Sequence, residues 1–158
     1  MKPYRFMKIV SGGQSGVDRA ALDVAVALDI PCGGWCPRDR YAEDGRIGDR
    51  YPLAETPSAD TAQRTEWNVR DSDGTLILTR GEPSGGTALT IRFARAMGRP
   101  FLIVDLAEPL DPDQARSWIR ENRIGVLNVA GPRESKCPGI HGEATAFLRA
   151  VFSPRRTA

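Results

Sequence analysis

The chain is poor in the residues that build several common kinds of functional site. It has one histidine, His141, with no carboxylate or nucleophile pattern around it in the sequence, so we predict no serine or cysteine triad and interpret this histidine as incidental. The three cysteines, Cys32, Cys36 and Cys137, are odd in number and lack paired C-x-x-C spacing. This argues against a disulfide framework and against a zinc site. The sequence therefore predicts neither a catalytic triad nor a bound metal.

A large charge excess and a long apolar run are also missing. The 22 basic and 20 acidic residues leave a formal net charge of +2, which gives no overall field to attract nucleic acid or an anionic membrane. No apolar run is long enough to span a bilayer. The basic residues 1–5 lead into a strand-like segment and not into a signal-peptide core. We therefore predict a cytoplasmic protein without nucleic-acid or membrane partners, in which any anion site is local.

The chain does contain a glycine-rich junction at residues 12–18, G-G-Q-S-G-V-D, directly after the apolar residues 7–11. Glycines allow positive φ and close backbone approach, and the N–H groups at a helix start attract anions. Ser15 and Asp18 have capping-box spacing, so they either cap the following helix or contact a ligand. The run matches neither G-x-G-x-x-G nor the P-loop. A strand, an anion-binding turn and a helix are expected here.

Two further polar loops follow predicted strands. After the strand at 75–79, the run Ser84, Gly85, Gly86, Thr87 enters another helix and predicts a second anion nest, with a simple capped turn as the alternative. After the strand at 125–130, Arg133 and Lys136 could neutralise an anion. In the same region Asn128 could read the edge of a heterocycle, and a solvated charged loop is the alternative.

The order of the elements indicates an α/β fold. Apolar runs at 75–79, 101–105 and 125–130, with a weaker one near 33–36, alternate with helical patterns, whereas residues 38–57 resist assignment and are expected to form a functional loop. We predict one Rossmann-like ligand-binding domain over residues 1–158. It is a three-layer sandwich around an open, mostly parallel sheet of about five strands. Ligands bind beyond the carboxyl ends of such strands.

Several motifs together resemble the molybdenum cofactor carrier family. They are G-G-Q-S-G-V-D-R-A-A-L, G-W-C-P, R-Y-P-L-A-E-T, R-T-E-W-N-V-R-D-S-D-G-T-L-I and S-G-G-T, and they span nearly the whole chain. The family is related to the lysine-decarboxylase-like phosphoribohydrolases. The resemblance implies a homo-oligomer, a dimer or tetramer, that binds, stores or carries molybdenum cofactor, a phosphate-bearing molybdopterin, as cargo without catalysing its chemistry.

The alternative function is hydrolysis of a nucleoside monophosphate at its N-glycosidic bond. The phosphoribohydrolases carry a motif Pro-Gly-Gly-x-Gly-Thr-x-x-Glu, and aligning its Gly-Thr with Gly86 and Thr87 puts Thr90 in the place of the catalytic glutamate. A hydroxyl cannot replace a carboxylate in acid–base catalysis at neutral pH. Hydrolysis is therefore disfavoured unless Glu82 or Glu66 supplies the carboxylate from elsewhere.

The predicted site consists of the polar and glycine residues of the three loops together with Trp35, which could stack on a flat ring. No catalytic residue is assigned, and the ligand is a small anion. We expect Gly13→Asp to abolish binding without unfolding the protein. The candidate cofactor-binding residues are Gly12, Gly13, Gln14, Ser15, Gly16, Trp35, Ser84, Gly85, Gly86, Thr87, Asn128, Arg133 and Ser135.

Overall fold

A computed structural model describes residues 3–153. Along the chain its strands and helices are β1 (Lys8–Val10), α1 (Val17–Ala27), β2 (Cys32–Gly33), β3 (Trp35–Cys36), β4 (Ala54–Glu55), α2 (Thr61–Arg70), β5 (Gly74–Thr79), α3 (Gly85–Ala96), β6 (Phe101–Asp105), α4 (Pro112–Glu121), β7 (Val126–Ala130) and α5 (Ile140–Phe152). The one-domain prediction also includes residues 1–2 and 154–158, which lie outside the described residues.

The main sheet has five strands in the order β2-β1-β7-β5-β6, and all of its pairings are parallel. Helices cover both faces, with α1, α4 and α5 packed together in one layer and α2 against α3 in the other. The predicted three-layer α/β Rossmann-like fold is therefore confirmed. The weak strand predicted at 33–36 is divided at Gly34, where φ is 122°: β2 joins the main sheet, and β3 pairs with β4.

The core forms where apolar strand residues meet the apolar stripes of the helices. Ile9, Leu76 and Leu127 are fully buried, as are Val17 and Leu148. The apolar stripe of α5 is buried along its whole length. Because these strands carry apolar residues on both faces, they are typical of a doubly covered parallel sheet. No helix within residues 3–153 has both the length and the apolar character required to cross a membrane.

The helix boundaries follow the local signals. The Asp111 side chain accepts a hydrogen bond from the Gln114 N–H at 3.3 Å, with Pro112 opening α4. Helix α3 ends before Gly98, which has a φ of 66° that other residues adopt only with strain. The start of α4 and the end of α3 are therefore set by residues next to them in the sequence.

The segment 38–57, which has no helical or strand periodicity, packs around one buried arginine. The Arg40 guanidinium donates to the carbonyl oxygens of Ile47, Gly48, Tyr51 and Leu53 at 2.8–3.1 Å. Ile47, Tyr51 and Leu53 also form a small second core with Leu22 and Cys36. The segment thus has a defined structure and packs against α1.

Candidate functional site

A cleft of about 290 Å³ opens at the carboxyl ends of β1, β7 and β5, the three central strands of the sheet. It is lined by the loops that follow these strands and by one side of α2. The fold therefore brings the three predicted loops to one place, at the strand ends where ligands bind in such sheets. Of the predicted site residues, those lining the cleft are Gly12, Gln14, Ser84, Gly86, Thr87, Asn128 and Arg133.

The loop between β1 and α1 is packed tightly against its surroundings. Gly13 has a φ of 77°, and a Cβ added there would lie 2.6 Å from Leu53 Cδ1. Gly16 has a φ of 81°, and its Cβ would lie 2.8 Å from the Glu134 backbone N. Such approaches require atoms to move. We therefore expect Gly13→Asp to destabilise the fold, which makes it unsuitable as a binding test.

Of the two alternatives for Ser15 and Asp18, capping of the following helix is wrong. Gly16 is the N-cap residue of α1, and no side chain caps this helix. The Ser15 hydroxyl instead donates to a Glu43 carboxylate oxygen and accepts a hydrogen bond from the Glu134 N–H at 3.2 Å. Ser15 thus ties the start of α1 to the segment 38–57 and to the loop after β7.

Glu43 contacts Ser15, Arg133 and Ser135, three residues that were predicted to contact the ligand. Ser135 donates to its carboxylate through both the hydroxyl, at 2.5 Å, and the backbone N–H, at 3.1 Å. Arg133 Nε lies 3.1 Å from Glu43 Oε2. Hydrogen bonds from Ser135 and Ser15 hold the pKa of Glu43 below its ordinary value. Three of the predicted ligand contacts therefore already bind a carboxylate of the chain itself.

A second carboxylate of the chain, the buried Asp18, lines the cleft. Arg64 of α2 donates to the Gly12 carbonyl oxygen at 2.9 Å and lies 3.4 Å from Asp18 Oδ2. The two side chains are each 11% exposed. Burial raises the pKa of Asp18 to about 6, although Arg64 and backbone hydrogen bonds at Gln14 and Gly12 act in the opposite direction. The β1–α1 loop thus encloses its own anion.

The loop between β5 and α3 is open by comparison. Ser84 is the N-cap residue but its side chain makes no capping hydrogen bond, and a Cβ added to Gly86 would meet no atom within 4 Å. The Thr87 side chain lines the cleft, and its hydroxyl has no hydrogen-bond partner among residues 3–153, although Thr87 is only 6% exposed. The Thr87 N–H donates to the Ser84 carbonyl oxygen at 3.1 Å, whereas Gly86, which also lines the cleft, has no hydrogen-bond partner for its N–H among the described residues.

The basic side chains of the cleft differ in whether they are paired. Arg64 pairs with Asp18, Arg80 with Glu143 and Arg133 with Glu43. Lys136 makes no ion pair within the described part of the chain. Its Nζ reaches the start of α3, 2.7 Å from where a Cβ on Gly85 would lie. An unpaired ammonium group thus lies beside the N–H groups of a helix start, and both favour a negative charge.

Asn128 lies deep in the cleft and is only 3% exposed. Its Nδ2 donates to Thr75 Oγ1 at 3.3 Å, while its Oδ1 accepts no hydrogen bond from any residue described. The amide therefore keeps an acceptor for a ligand, as the reading of a heterocycle edge requires.

Trp35 lies outside the cleft. Its indole Nε1 donates to Asp71 Oδ2 at 2.8 Å, and its ring meets Trp67 edge to face at 4.8 Å. It borders a separate depression lined by β1 and α2 residues. Gly13, Ser15, Gly16, Gly85 and Ser135 are likewise absent from the cleft lining. They shape the loops around the cleft.

The candidate catalytic groups are arranged unfavourably for acid–base work. Thr90 lines the cleft, but its hydroxyl donates to the Gly86 carbonyl oxygen at 2.9 Å. Glu82 lines the cleft as an exposed residue, whereas Glu66 does not line it. Among residues 3–153, no group of three or more histidine, cysteine and acidic side chains is arranged to hold a metal ion.

The fold brings a carboxylate to His141 that the local sequence does not show. His141 Nε2 lies 2.9 Å from Asp23 Oδ2, and Asp23 also accepts a hydrogen bond from the Tyr51 hydroxyl. Asp23 is on α1, far from His141 in the sequence. His141 therefore has a carboxylate partner that comes from a distant part of the sequence, and the pair does not line the cleft.

Sequence reasoning missed Glu43 and did not assign Arg64 or Asp18 a shared role. Glu43 lies in the segment without periodicity, so nothing in the sequence connected it to Ser135, 92 positions away. A signal for Arg64 did exist: residues 64–68 are unusually polar for a helix on a sheet. This pattern is most typical of a solvated face, and a face that lines the cleft or a subunit contact is the alternative.

Comparisons with known proteins agree with this architecture. Residues 9–152 match the model of the circularly permutated YpsA SLOG family. A crystal structure from Syntrophus aciditrophicus SB, named "Putative molybdenum carrier protein", is 45% identical to the chain, with a TM-score of 0.90. The match covers 97% of this chain and 98% of that one. The comparison with curated proteins gave no match.

Proposed function

Because the chain belongs to the circularly permuted YpsA SLOG family, we propose that it is a carrier or storage protein that binds a small phosphate-bearing cargo in the cleft. The specific cargo that we propose is molybdenum cofactor. Its support is the motif resemblance and the 45%-identical structure named as a molybdenum carrier. In this proposal the protein holds its cargo without chemical turnover, since Thr90 replaces the glutamate expected of a hydrolase.

The observation that carries the proposal is the unpaired Lys136 ammonium beside the open start of α3. A phosphate at this position would accept hydrogen bonds from the first N–H groups of the helix and from the Thr87 hydroxyl, and Lys136 would neutralise part of its charge. The other glycine loop is a poor phosphate site, because Asp18 and Glu43 would repel a second anion. The phosphate of the cargo is therefore assigned to the Ser84–Thr87 end of the cleft.

The ring end of the cargo would then lie toward Asn128 and Asp18, deeper among the strand ends. A cleft of about 290 Å³ lies at the lower end of the range for small-molecule pockets. Both molybdopterin and a nucleoside monophosphate offer a flat ring and one phosphate. The nucleotide hydrolase is thus the competing function, and it requires a carboxylate such as Glu82 to act on the glycosidic bond.

Isothermal titration with purified molybdenum cofactor, molybdate and AMP, with product analysis of each mixture, tests the proposal. We expect cofactor binding without turnover. Release of adenine from AMP would contradict a carrier role and identify a hydrolase. No binding of the cofactor to folded protein would reject the proposed cargo.

The proposal includes a homo-oligomer, a dimer or tetramer, and a cytoplasmic location. The oligomer is supported by the family resemblance, and light scattering coupled to size exclusion measures it directly. A single monomeric species at all concentrations would reject this part of the proposal.

A further inference from the structure

The geometry points to Asp18 as the residue that selects the ring of the cargo: we propose that its carboxylate accepts hydrogen bonds from a 2-amino-4-oxopyrimidine edge, the edge that pterins and guanine share. This inference rests on the proposed function, since it assumes that a ring lies in the cleft. It adds a specificity that the family match and the structural relative do not assign.

The placement of Asp18 is the first support. A carboxylate rarely lies in a protein interior without full pairing. Asp18 is 8% exposed and faces the cleft from the first turn of α1. The phosphate position assigned above is at the start of α3, on the other side of β7, so a ligand that extends from there along the strand ends meets Asp18 with its ring.

The incomplete pairing of Asp18 is the second support. Its one side-chain partner is Arg64, whose Nη1 lies at 3.4 Å from Oδ2, while the same nitrogen makes a shorter bond of 2.9 Å to the Gly12 carbonyl oxygen. An ionised carboxylate has about four acceptor positions. The pKa of Asp18 stays raised because burial outweighs Arg64 and the backbone hydrogen bonds. Arg64 and the backbone N–H groups of Gln14 and Gly12 occupy part of this capacity, and the remainder is available on a residue that lines the cleft.

The hydrogen-bonding groups of 2-amino-4-oxopyrimidine rings and of adenine explain how Asp18 would distinguish them. A 2-amino-4-oxopyrimidine presents an exocyclic amino group next to a ring N–H, two donors that match the two oxygens of a carboxylate. Adenine presents a ring nitrogen acceptor beside its amino group, and this acceptor would face the negative oxygen. A buried site built to accept hydrogen bonds rejects ligands that lack the donors, because its own polar group is then left unpaired.

Asn128 completes the recognition from the neighbouring strand β7. It is 3% exposed and lines the same cleft, and its Nδ2 is held by Thr75 Oγ1 at 3.3 Å. This bond orients the amide, so that its Oδ1 is presented as an acceptor and its second N–H as a donor to the ring. Asp18 and Asn128 thus offer complementary groups from two adjacent strand ends.

Titration of the wild-type protein with GMP, IMP and AMP in mildly alkaline buffer, where Asp18 is ionised, tests the inference without a variant. GMP and IMP differ only in the exocyclic amino group. We expect GMP to bind roughly ten-fold more tightly than IMP, and AMP to bind most weakly. Equal affinity for GMP and IMP would overturn the inference. A further titration with a pterin monophosphate distinguishes the two cargo classes that share this edge. Tighter binding of the pterin than of GMP identifies a pterin cargo, and the reverse identifies a guanine cargo.

Asp18→Asn adds the protein side of the test. We expect it to reduce the GMP preference over IMP to within about three-fold and to leave inorganic phosphate binding unchanged. Asp44→Asn is the matched control, because Asp44 pairs with Arg19 near the same loop but does not line the cleft. An unchanged GMP to IMP ratio in folded Asp18→Asn overturns the inference. Failure of all phosphate ligands and of molybdenum cofactor to bind the wild type rejects instead the proposed function.

Discussion

The two glycine-rich loops of this protein look alike in sequence but differ in what fills them. The β1–α1 loop is occupied by its own chain: Asp18 and Glu43 take its donors, and added side chains at Gly13 or Gly16 would meet neighbours below 3 Å. The β5–α3 loop keeps an unused hydroxyl on Thr87 and has the unpaired Lys136 at its edge. The glycines of the β1–α1 loop therefore permit close packing against the rest of the chain. Those of the β5–α3 loop leave space in which a ligand could approach the backbone.

The largest effect that separates the loops is expected from adding one methyl group to each. Gly16→Ala combines a positive φ with contact against backbone atoms, so we expect it to lower the free energy of unfolding by about 3 kcal/mol. Gly86→Ala, the control, has open space and should change that free energy by less than about 1 kcal/mol. Urea denaturation measures both. Equal losses in the two variants would remove the proposed difference between the loops.

The next effect concerns charge in the cleft. Lys136→Gln removes the unpaired ammonium, and we expect it to weaken binding of the phosphate-bearing ligand by about ten-fold, since charge-assisted hydrogen bonds contribute about 1.5–3 kcal/mol. The matched variant Arg133→Gln removes a cation already paired with Glu43, so binding should change by less than about three-fold. Titration calorimetry compares them. A larger loss of affinity in Arg133→Gln would place the phosphate beside Arg133, in the loop after β7, and not at the start of α3.

A smaller effect on stability is expected from replacing the Glu43 carboxylate. Glu43→Gln weakens the hydrogen bonds from Ser15 and Ser135 and should cost about 1 kcal/mol of unfolding free energy at neutral pH. Because the pKa of Glu43 is lowered in the folded protein, its stabilisation is present above the unfolded pKa and is lost as pH falls through the folded value. The variant should therefore show a shallower loss of stability in acid, which denaturation at several pH values measures. Identical acid profiles would contradict this.

The smallest effect is expected at the open loop. Ser84 makes no capping hydrogen bond, so Ser84→Ala should change the unfolding free energy by less than about 0.5 kcal/mol, below the usual cost of losing an N-cap. Asp111→Ala is the comparison, because the Asp111 side chain does cap α4 and its loss should cost about 1 kcal/mol. Thermal unfolding ranks the two. A full capping cost at Ser84 would show that its hydroxyl is not free for a ligand.

Most of the fold could be predicted because its signals are local. The apolar run at 75–79, the Asp111 cap and the stripe along α5 each specify an element from a few neighbouring residues. The meeting of three loops followed from the parallel sheet. The loop proposed to bind the ligand could not be identified from local signals. Its identification requires knowing which polar groups of each loop already pair with other residues of the chain. Glu43 reaches Ser15 and Ser135 only after residues 38–57 have folded around Arg40.

The position of β7 has a consequence for biosynthesis. This strand separates β1 and β2 from β5 and β6, yet it follows all four along the chain. During synthesis the two halves of the sheet therefore have no backbone partner across the middle until β7 leaves the ribosome, and Asn128 and Lys136 emerge with it or after it. Domains fold as units once their chain is available. We expect that a stalled nascent chain ending before β7 cannot bind the proposed cargo, because the middle of the sheet and Asn128 are then missing.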